Sequence, residues 1–432
     1  MALLRALALV LVFPACAAAS PVAVVPLDGA IGPAAADFVR RSIERAATDG
    51  TELVVLRIDT PGGLDTSMRE IIKAILASPV PVASFVAPSG ARAASAGTFI
   101  LYASHIAAMA PGTNLGAASP VAIMGGGESD KDGKKGGDAM MKKAMNDAVA
   151  YIRGFAQLRG RNADWAEKAV REAVSLPADE ALKQKVIDVV APDVPALLRA
   201  LEGKTVEAGG AKRTLQLAGA SAEERAPDWR TRFLAVITNP SVAYLLILVG
   251  AYALLFEFMN PGLLLPGVVG AIAILVALYA LHLLPVNYAG LALIALGIAF
   301  MIAEAFVPAF GSLGIGGLVA FVLGSIMLIE DTALPGFQIP LALIAGMAVA
   351  SAGFLIFVVG MLLRSRRQAV VSGREQMIGA RGEALGDFER EGWARVRGEQ
   401  WQVRSPRAVR RGERLRVTAM HGLVLDVEPE GD

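Results

Sequence analysis

From about residue 21 to residue 200 the chain alternates short apolar runs with amphipathic stretches of helical period. Val22–Leu27 is a compact apolar run, and Asp37–Ala47 repeats its apolar residues at the spacing of one helix face. Leu53–Ile58 is a β-branched run that stops at the turn Thr60-Pro61-Gly62-Gly63. Ser67–Leu76 is helical again, and Val80–Val86 returns to strand. Such alternation predicts an α/β domain with a largely parallel sheet. The longest helical pattern is Ala139–Leu158, with Met141, Met145, Ala148, Ile152 and Phe155 on one face. Residues 125–138, just before it, are glycine-rich and charged, which predicts a mobile loop. The polar segment from about Gly203 to Trp229 reads as a connector with some strand.

The middle third changes character. Apolar stretches near 240–258, 263–284, 288–307, 312–330 and 339–363 each approach the ~20 residues that a bilayer helix needs. The breaks between them carry Pro261-Gly262, Pro285, Pro308 and Pro335-Gly336. Glu257, Pro261, Gly267 and Gly270 have counterparts at one constant offset in Glu304, Pro308, Gly314 and Gly317. Two similar helix hairpins follow, either packed closely through their glycines or enclosing a transport site at the broken segments. The packing reading is preferred, because both acids fall at span ends rather than mid-bilayer. The last region alternates apolar and polar residues in Trp393–Val396, Trp401–Val403, Leu415–Val417 and Leu423–Val427, with turns at Gly398 and Gly422. Short strands of this kind predict a small β-barrel.

Composition sharpens this division. Of the 432 residues, 54% are hydrophobic and 19% charged, and the net charge is +1. No lysine or arginine lies between Arg232 and Arg364, so the basic charge belongs to two flanking regions. No basic stripe of the kind nucleic acid requires is visible. Arg5, the apolar core Ala6–Phe13 and Ala17-Ala18-Ala19 form a secretory signal pattern, with a retained anchor as the alternative. Arg364, Arg366 and Arg367 follow the last span and place that end in the cytoplasm, while a cleaved signal places the first domain outside. Arg230 and Arg232 on the outer side are a mild objection. Cys16 is the sole cysteine, and His105, His282 and His421 are scattered, so no cofactor or metal is called for.

The candidate chemistry centres on Ser89-Gly90-Ala91-Arg92-Ala93-Ala94-Ser95-Ala96-Gly97-Thr98, which follows a buried strand and precedes the helical run Phe99–Ser104. A serine at a helix N-terminus has the dipole and free N–H groups that favour negative charge on its oxygen. An ordinary N-cap serine is the plainer reading. Gly62 and Gly63, at the end of another strand, offer N–H groups of the kind that hold an oxyanion, or form a plain turn. A nucleophilic serine needs a base. His105 lies roughly 15 Å from Ser95 along a helix, too far to serve. Lysine remains, since burial can lower its pKa enough to take a serine proton. Lys131, Lys134 and Lys135 fall in the glycine-rich loop; Lys142 and Lys143 fall in or just before the long helix, and periodicity does not choose between them.

Together these features resemble the long form of the NfeD family, membrane-bound serine proteases of the Clp-protease class. The resemblance rests on Asp59-Thr60-Pro61-Gly62-Gly63, Gly90 through Thr98, Met109-Ala110-Pro111-Gly112-Thr113, Ala150-Tyr151-Ile152 and Gly160-Arg161-Asn162. Asn239-Pro240, Glu257 and Asn260-Pro261-Gly262 extend it into the first span. It implies a signal peptide (1–19), a crotonase- or Clp-protease-like α/β domain (20–202), a connector (203–235), a membrane domain of about five helices (236–364) and an all-β OB-type barrel (375–432). It further implies Ser95 as nucleophile. Counting back from Ile152 at the family's spacing gives Lys143 as base, with Lys142 in reserve. Backbone N–H groups of Gly62 or Gly63 and of Ala96 would hold the oxyanion.

The implied activity is hydrolysis of hydrophobic segments in a stomatin- or prohibitin-like membrane partner, by a homo-oligomer in a bacterial-type plasma membrane. A non-proteolytic scaffold for such a partner is the alternative. A signal-peptide peptidase and a transporter built on Glu257 and Glu304 are further rivals.

Overall fold

In the computed structural model, residues 21–120, 133–259, 262–306, 311–329, 337–367 and 374–430 are described. The signal pattern at 1–19 and most of the 125–138 loop, with Lys131, lie outside them. The chain divides into two compact units, Met1–Phe300 with Ile315–Val349 and Met301–Gly314 with Ala350–Asp432.

The first unit opens with the expected alternation: β1 (Val22–Asp28), α1 (Pro33–Thr48), β2 (Leu53–Asp59), α2 (Asp65–Ala77) and β3 (Val82–Val86). Then come β4 (Arg92–Ala94), α3 (Ala96–Ala103), β5 (Ile106–Met109) and β6 (Asn114–Gly116). Next are α4 (Gly133–Arg159), α5 (Ala163–Arg171), β7 (Ser175–Pro177), α6 (Ala178–Lys183), β8 (Val189–Val190) and α7 (Val194–Leu201). With β11 (Ala222–Glu224) at one edge, the main sheet has the order β11-β1-β2-β3-β5-β8 and is parallel throughout. Its strands are buried on both faces, which is why they read as continuous apolar runs rather than alternating ones. One face packs with α1–α5 and the other with α7, giving two apolar cores. A second sheet, β4-β6-β7, stands beside the end of β2 through a bridge from Thr60 to Ala93.

The polar segment after α7 does more than connect. It forms the hairpin β9 (Thr205–Ala208) and β10 (Ala211–Thr214), then β11 (Ala222–Glu224), which adds an edge strand to the main sheet in register with Val22–Val24. Helix α4 begins at Gly133, several residues before its sequence pattern. Extending a formed helix gains one hydrogen bond per residue, which offsets the poor propensity of Gly133, Gly136 and Gly137.

Helix α8 (Trp229–Ile237) leads into the apolar helices α9 (Pro240–Met259), α10 (Leu265–His282), α11 (Tyr288–Phe306), α12 (Ser312–Met327) and α13 (Leu341–Arg367), whose bounds fall close to the apolar stretches seen in the sequence. α9 and α10 are each long and apolar enough to cross a membrane. They pack through glycine: a Cβ on Gly250 would stand 2.9 Å from Gly270 O, and one on Gly270 would stand 2.8 Å from Gly250 O. The repeat recurs at Gly297, where a Cβ would meet Gly317 O at 2.6 Å. Tyr244 joins α9 to α12 through a 3.0 Å hydrogen bond with Ser325.

The two acids of the repeat have parallel duties. Glu257 Oε1 accepts from Leu264 N–H at 3.0 Å and Oε2 from Gly267 N–H at 3.4 Å. In the second unit, Glu304 accepts from the N–H groups of Gly311, Leu313 and Gly314 at 2.9, 3.1 and 3.2 Å. Each carboxylate satisfies donors at the start of the following helix, which need partners in an apolar medium. The second unit ends in α14 (Arg374–Met377) and a closed barrel, ordered β12-β13-β14-β16-β15. Its strands are β12 (Arg381–Ala384), β13 (Glu391–Val396), β14 (Glu399–Arg404), β15 (Arg414–His421) and β16 (Val424–Pro429).

Candidate active site

Ser95 joins β4 to α3 with φ 51 and ψ −116. A positive φ is uncommon for a residue with a side chain. Strand, strained residue and helix together form a sharp elbow, in which the turn holds the hydroxyl clear of the backbone. Long-range bonds maintain the strain. Ser95 N–H donates to Gly116 O at 3.0 Å, and Ala94 N–H to Thr60 O at 3.1 Å. Thr98 Oγ1 lies 2.8 Å from Ala93 O and accepts from Gly116 N–H at 3.1 Å. Every residue of α3 is buried, whereas Ser95 is half-buried and reachable from the cleft.

The glycine turn lies directly against this serine. A Cβ on Gly62 would stand 2.7 Å from Ser95 Cβ and 3.1 Å from its Oγ. Gly62 N–H is already engaged, donating to Thr60 Oγ1 at 3.0 Å. Gly63 bridges Ile31: Ile31 N–H donates to Gly62 O and Leu64 N–H to Ile31 O, both at 2.9 Å. Backbone groups alternate sides along an extended segment, so the Gly63 N–H points away from Ile31. Neither it nor the Ala96 N–H, at the start of α3, has an acceptor among the described residues.

A cleft of about 650 Å³ opens over Ser95. Gly63, Leu64, Ala96, Phe99, Ala118 and Pro120 line it near the serine, and Ala144, Asp147, Ala148 and Tyr151 of α4 form one wall. Arg69 closes the top of that wall. It donates to Asp65 at 2.8 Å and to Asp147 at 2.7 Å, and its guanidinium stands 4.4 Å from the Tyr151 ring centre. Burial raises the Tyr151 hydroxyl above its ordinary pKa, so it is no base near neutral pH. The last part of the lining is His282, Leu283, Leu284 and Pro285, at the end of α10. The cleft is therefore shared between the α/β domain and a membrane helix.

The lysine candidates lie on α4. At 100° per residue, Lys143 stands about 90° from the centre of the helix face that lines the cleft, and Lys142 about 170°. Both are exposed. The described residues thus bury neither lysine against the cleft. Lys134 and Lys135 fall in the first turns of α4 rather than in a loop.

His105 is committed elsewhere. Its Nδ1 accepts from Val82 N–H at 3.2 Å. Burial, with the nearby Arg159 and Arg161 charges, lowers its pKa to about 4. Sequence reasoning gave no chemical role to Arg161, which is buried among carbonyls. Its Nη1 donates to Leu101, Tyr102 and Ser104 O at 3.0, 2.9 and 3.0 Å, and its Nη2 to Asp188 at 2.7 Å. These carbonyls close α3, so Arg161 anchors the far end of the helix that begins after Ser95. Among the described residues, no group of His, Cys, Asp and Glu is placed to hold a metal ion.

Three family models cover most of the chain. The N-terminal domain of NfeD1b matches residues 21–202, the NfeD integral membrane domain 241–361, and the NfeD-like C-terminal, partner-binding domain 374–429. A membrane-bound protease of Pyrococcus horikoshii is 36% identical over 419 residues, spanning 94% of this chain and 93% of that protein. Among solved structures, a membrane-bound stomatin-specific protease with a lysine-to-alanine mutation, in complex with a substrate peptide, is 34% identical. The match covers 51% of this chain and 98% of that one, with a TM-score of 0.45. Its serine-to-alanine mutant is 36% identical, covering 49% of this chain and 100% of that one, with a TM-score of 0.44.

Proposed function

This chain belongs to the NfeD family, and we propose that it is a membrane-anchored serine endopeptidase with Ser95 as nucleophile and Lys143 as base. The observation that carries the reading is the strained Ser95 elbow, set against a glycine turn in a cleft walled by a membrane helix. The close relationship to a membrane-bound protease supports it.

Neutral Lys143 takes the Ser95 Oγ proton as the oxygen attacks the scissile carbonyl carbon. The Gly63 and Ala96 N–H groups receive the carbonyl oxygen as it gains charge. The amine leaves with the proton held by Lys143, and water then releases the acyl group by the same steps in reverse. Substrate laid along α4 excludes water from Lys143, which is otherwise exposed. The apolar lining from Leu283, Leu284 and Phe99 selects a hydrophobic segment, and its place at the end of α10 suits a segment leaving the bilayer. A stomatin- or prohibitin-like membrane protein is the expected partner, engaged by a homo-oligomer. The proposed orientation puts the cleft outside the cytoplasm and the barrel inside, in a bacterial-type plasma membrane.

The test is cleavage of a hydrophobic peptide by the full chain in micelles. Ser95→Ala should abolish it with the thermal unfolding curve unchanged; undiminished cleavage sinks the assignment. The match of residues 374–429 to a partner-binding domain favours one other reading, a non-proteolytic scaffold. Labelling of Ser95 by a serine-reactive fluorophosphonate would count against it.

A further inference from the structure

Helix α8 has two unlike faces. Thr231, Leu234 and Ile237 are buried. Leu234 and Ile237 share an apolar cluster with Ala243 near the start of α9 and with Ala280, Leu281 and Leu284 at the end of α10. On the other face Trp229, Phe233 and Val236 are 78%, 49% and 57% exposed. At 100° per residue these three fall within about 60° of arc. Arg230 and Arg232, both exposed, flank them. Among the described residues, the charged groups of α1 paired with α8 and its N-cap are Asp37, 3.7 Å from Arg230, and Arg41, which bonds Asp228, the N-cap of α8, at 2.8 Å.

The depth of α8 follows from its packing. α9 and α10 are each able to cross a membrane, and the first turns of one and the last turn of the other mark the same edge of their hairpin. α8 packs on that edge and ends three residues before α9 begins. Its outward face therefore stands where hydrocarbon gives way to headgroups. A stripe of tryptophan, phenylalanine and valine flanked by arginine is what a helix lying in that zone carries. Tyr288, 75% exposed at the start of α11, adds a third aromatic at this level.

We propose that α8 is an interfacial helix, with Trp229, Phe233 and Val236 in the acyl boundary and Arg230 and Arg232 against the phosphates of anionic lipid. The ion pair of Asp228 with Arg41 then couples this contact to α1, and so to the α/β domain. Nothing in this inference depends on catalysis by Ser95.

The test uses the full chain in nanodiscs of phosphatidylcholine, with or without phosphatidylglycerol. Cys16 is replaced by serine, and a polarity-sensitive fluorophore is attached through Trp229→Cys or, separately, Phe233→Cys. Glu44→Cys on α1 is the water-exposed reference. Positions 229 and 233 should emit at shorter wavelength than position 44. They should be quenched several-fold more by lipid spin-labelled near the headgroup than by lipid labelled deep in the chain. Iodide quenching equal to that of position 44, without lipid quenching, overturns the proposal. So does shielding from both quenchers, which would mean a protein covers the stripe. Arg230→Gln with Arg232→Gln should remove the extra blue shift seen with phosphatidylglycerol; its persistence overturns the headgroup contact.

Discussion

The β-carbon that Gly62 lacks would lie 2.7 Å from Ser95 Cβ, closer than side-chain carbons approach without displacement. Gly62 also has φ 112, where an L side chain is strained. Two independent constraints thus make residue 62 a glycine, and the first concerns the Ser95 side chain. Gly62→Ala should lower kcat for peptide cleavage by ~10²-fold or more, since a shift of ~1 Å in a reacting atom costs that much. The fluorophosphonate labelling rate should fall in parallel. Wild-type labelling in this variant would show that the turn does not position the serine.

Lys143 and Lys142 are adjacent in sequence but point to different sides of α4. Lys143→Ala should abolish cleavage, while Lys142→Ala should retain at least about a third of it, as expected for a lysine facing solvent. The pH profile of kcat/KM separates a base from a mere substrate contact. A base must be deprotonated to act, so the wild-type profile should rise with pH through its pKa, which a mere substrate contact would not require. Loss with Lys142→Ala instead would move the base by one residue.

Much of this site was legible in the sequence because its parts are local. A buried run ending in Thr60-Pro61-Gly62-Gly63, and a serine between strand and helix patterns, are both read within ten residues or so. The strain at Ser95 was not legible, because Gly116 and Thr60 impose it from elsewhere in the fold. That Gly62 N–H is engaged and Gly63 N–H is turned away from Ile31, the ground for proposing Gly63 as oxyanion donor, depends on the Thr60 hydroxyl and on Ile31, which only the folded turn brings together. The wall from His282 to Pro285 comes from a helix read solely as a span. Edge strand β11, Ala222–Glu224, and barrel strand β12, Arg381–Ala384, carry too few apolar side chains to announce themselves. Backbone pairing alone selects them.

Arg161 holds α3 from behind, with three carbonyls and Asp188 around a side chain that is 2% exposed. Arg161→Met should cost about 3 kcal/mol, because it leaves Asp188 and the carbonyls short of donors in a poorly solvated place. Arg161→Lys should restore little, since one ammonium cannot match the planar fork. Thermal unfolding of the full chain in micelles measures both. Stability within about 0.5 kcal/mol of wild type for Arg161→Met would refute this anchoring role.

Glu257 and Glu304 each accept hydrogen bonds from backbone N–H groups that open the next helix. Glu257→Ala and Glu304→Ala should therefore weaken their own hairpins, each by about 1–3 kcal/mol. Glu→Gln, which keeps an acceptor oxygen, should cost less. Denaturant titration in mixed micelles gives both values. A transport site predicts the opposite order of effects: intact stability with a solute-dependent growth or uptake phenotype.

His105 sets an acid limit on the α/β domain. Burial lowers its pKa to about 4, against about 6.5 for a free histidine, so the folded domain holds it neutral. Between these values the unfolded chain binds the extra proton and the folded chain does not. Stability therefore falls as pH drops from about 6.5 towards 4, by at most about 3 kcal/mol from this residue. Below 4 both states are protonated and no further loss comes from it. His105→Gln retains an acceptor for the Val82 N–H and cannot take up a proton in this range. Its unfolding temperature should fall less steeply than wild type between pH 6.5 and 4.5, with a lower starting value at pH 7.5. Parallel curves for the two proteins would mean that His105 does not titrate on unfolding.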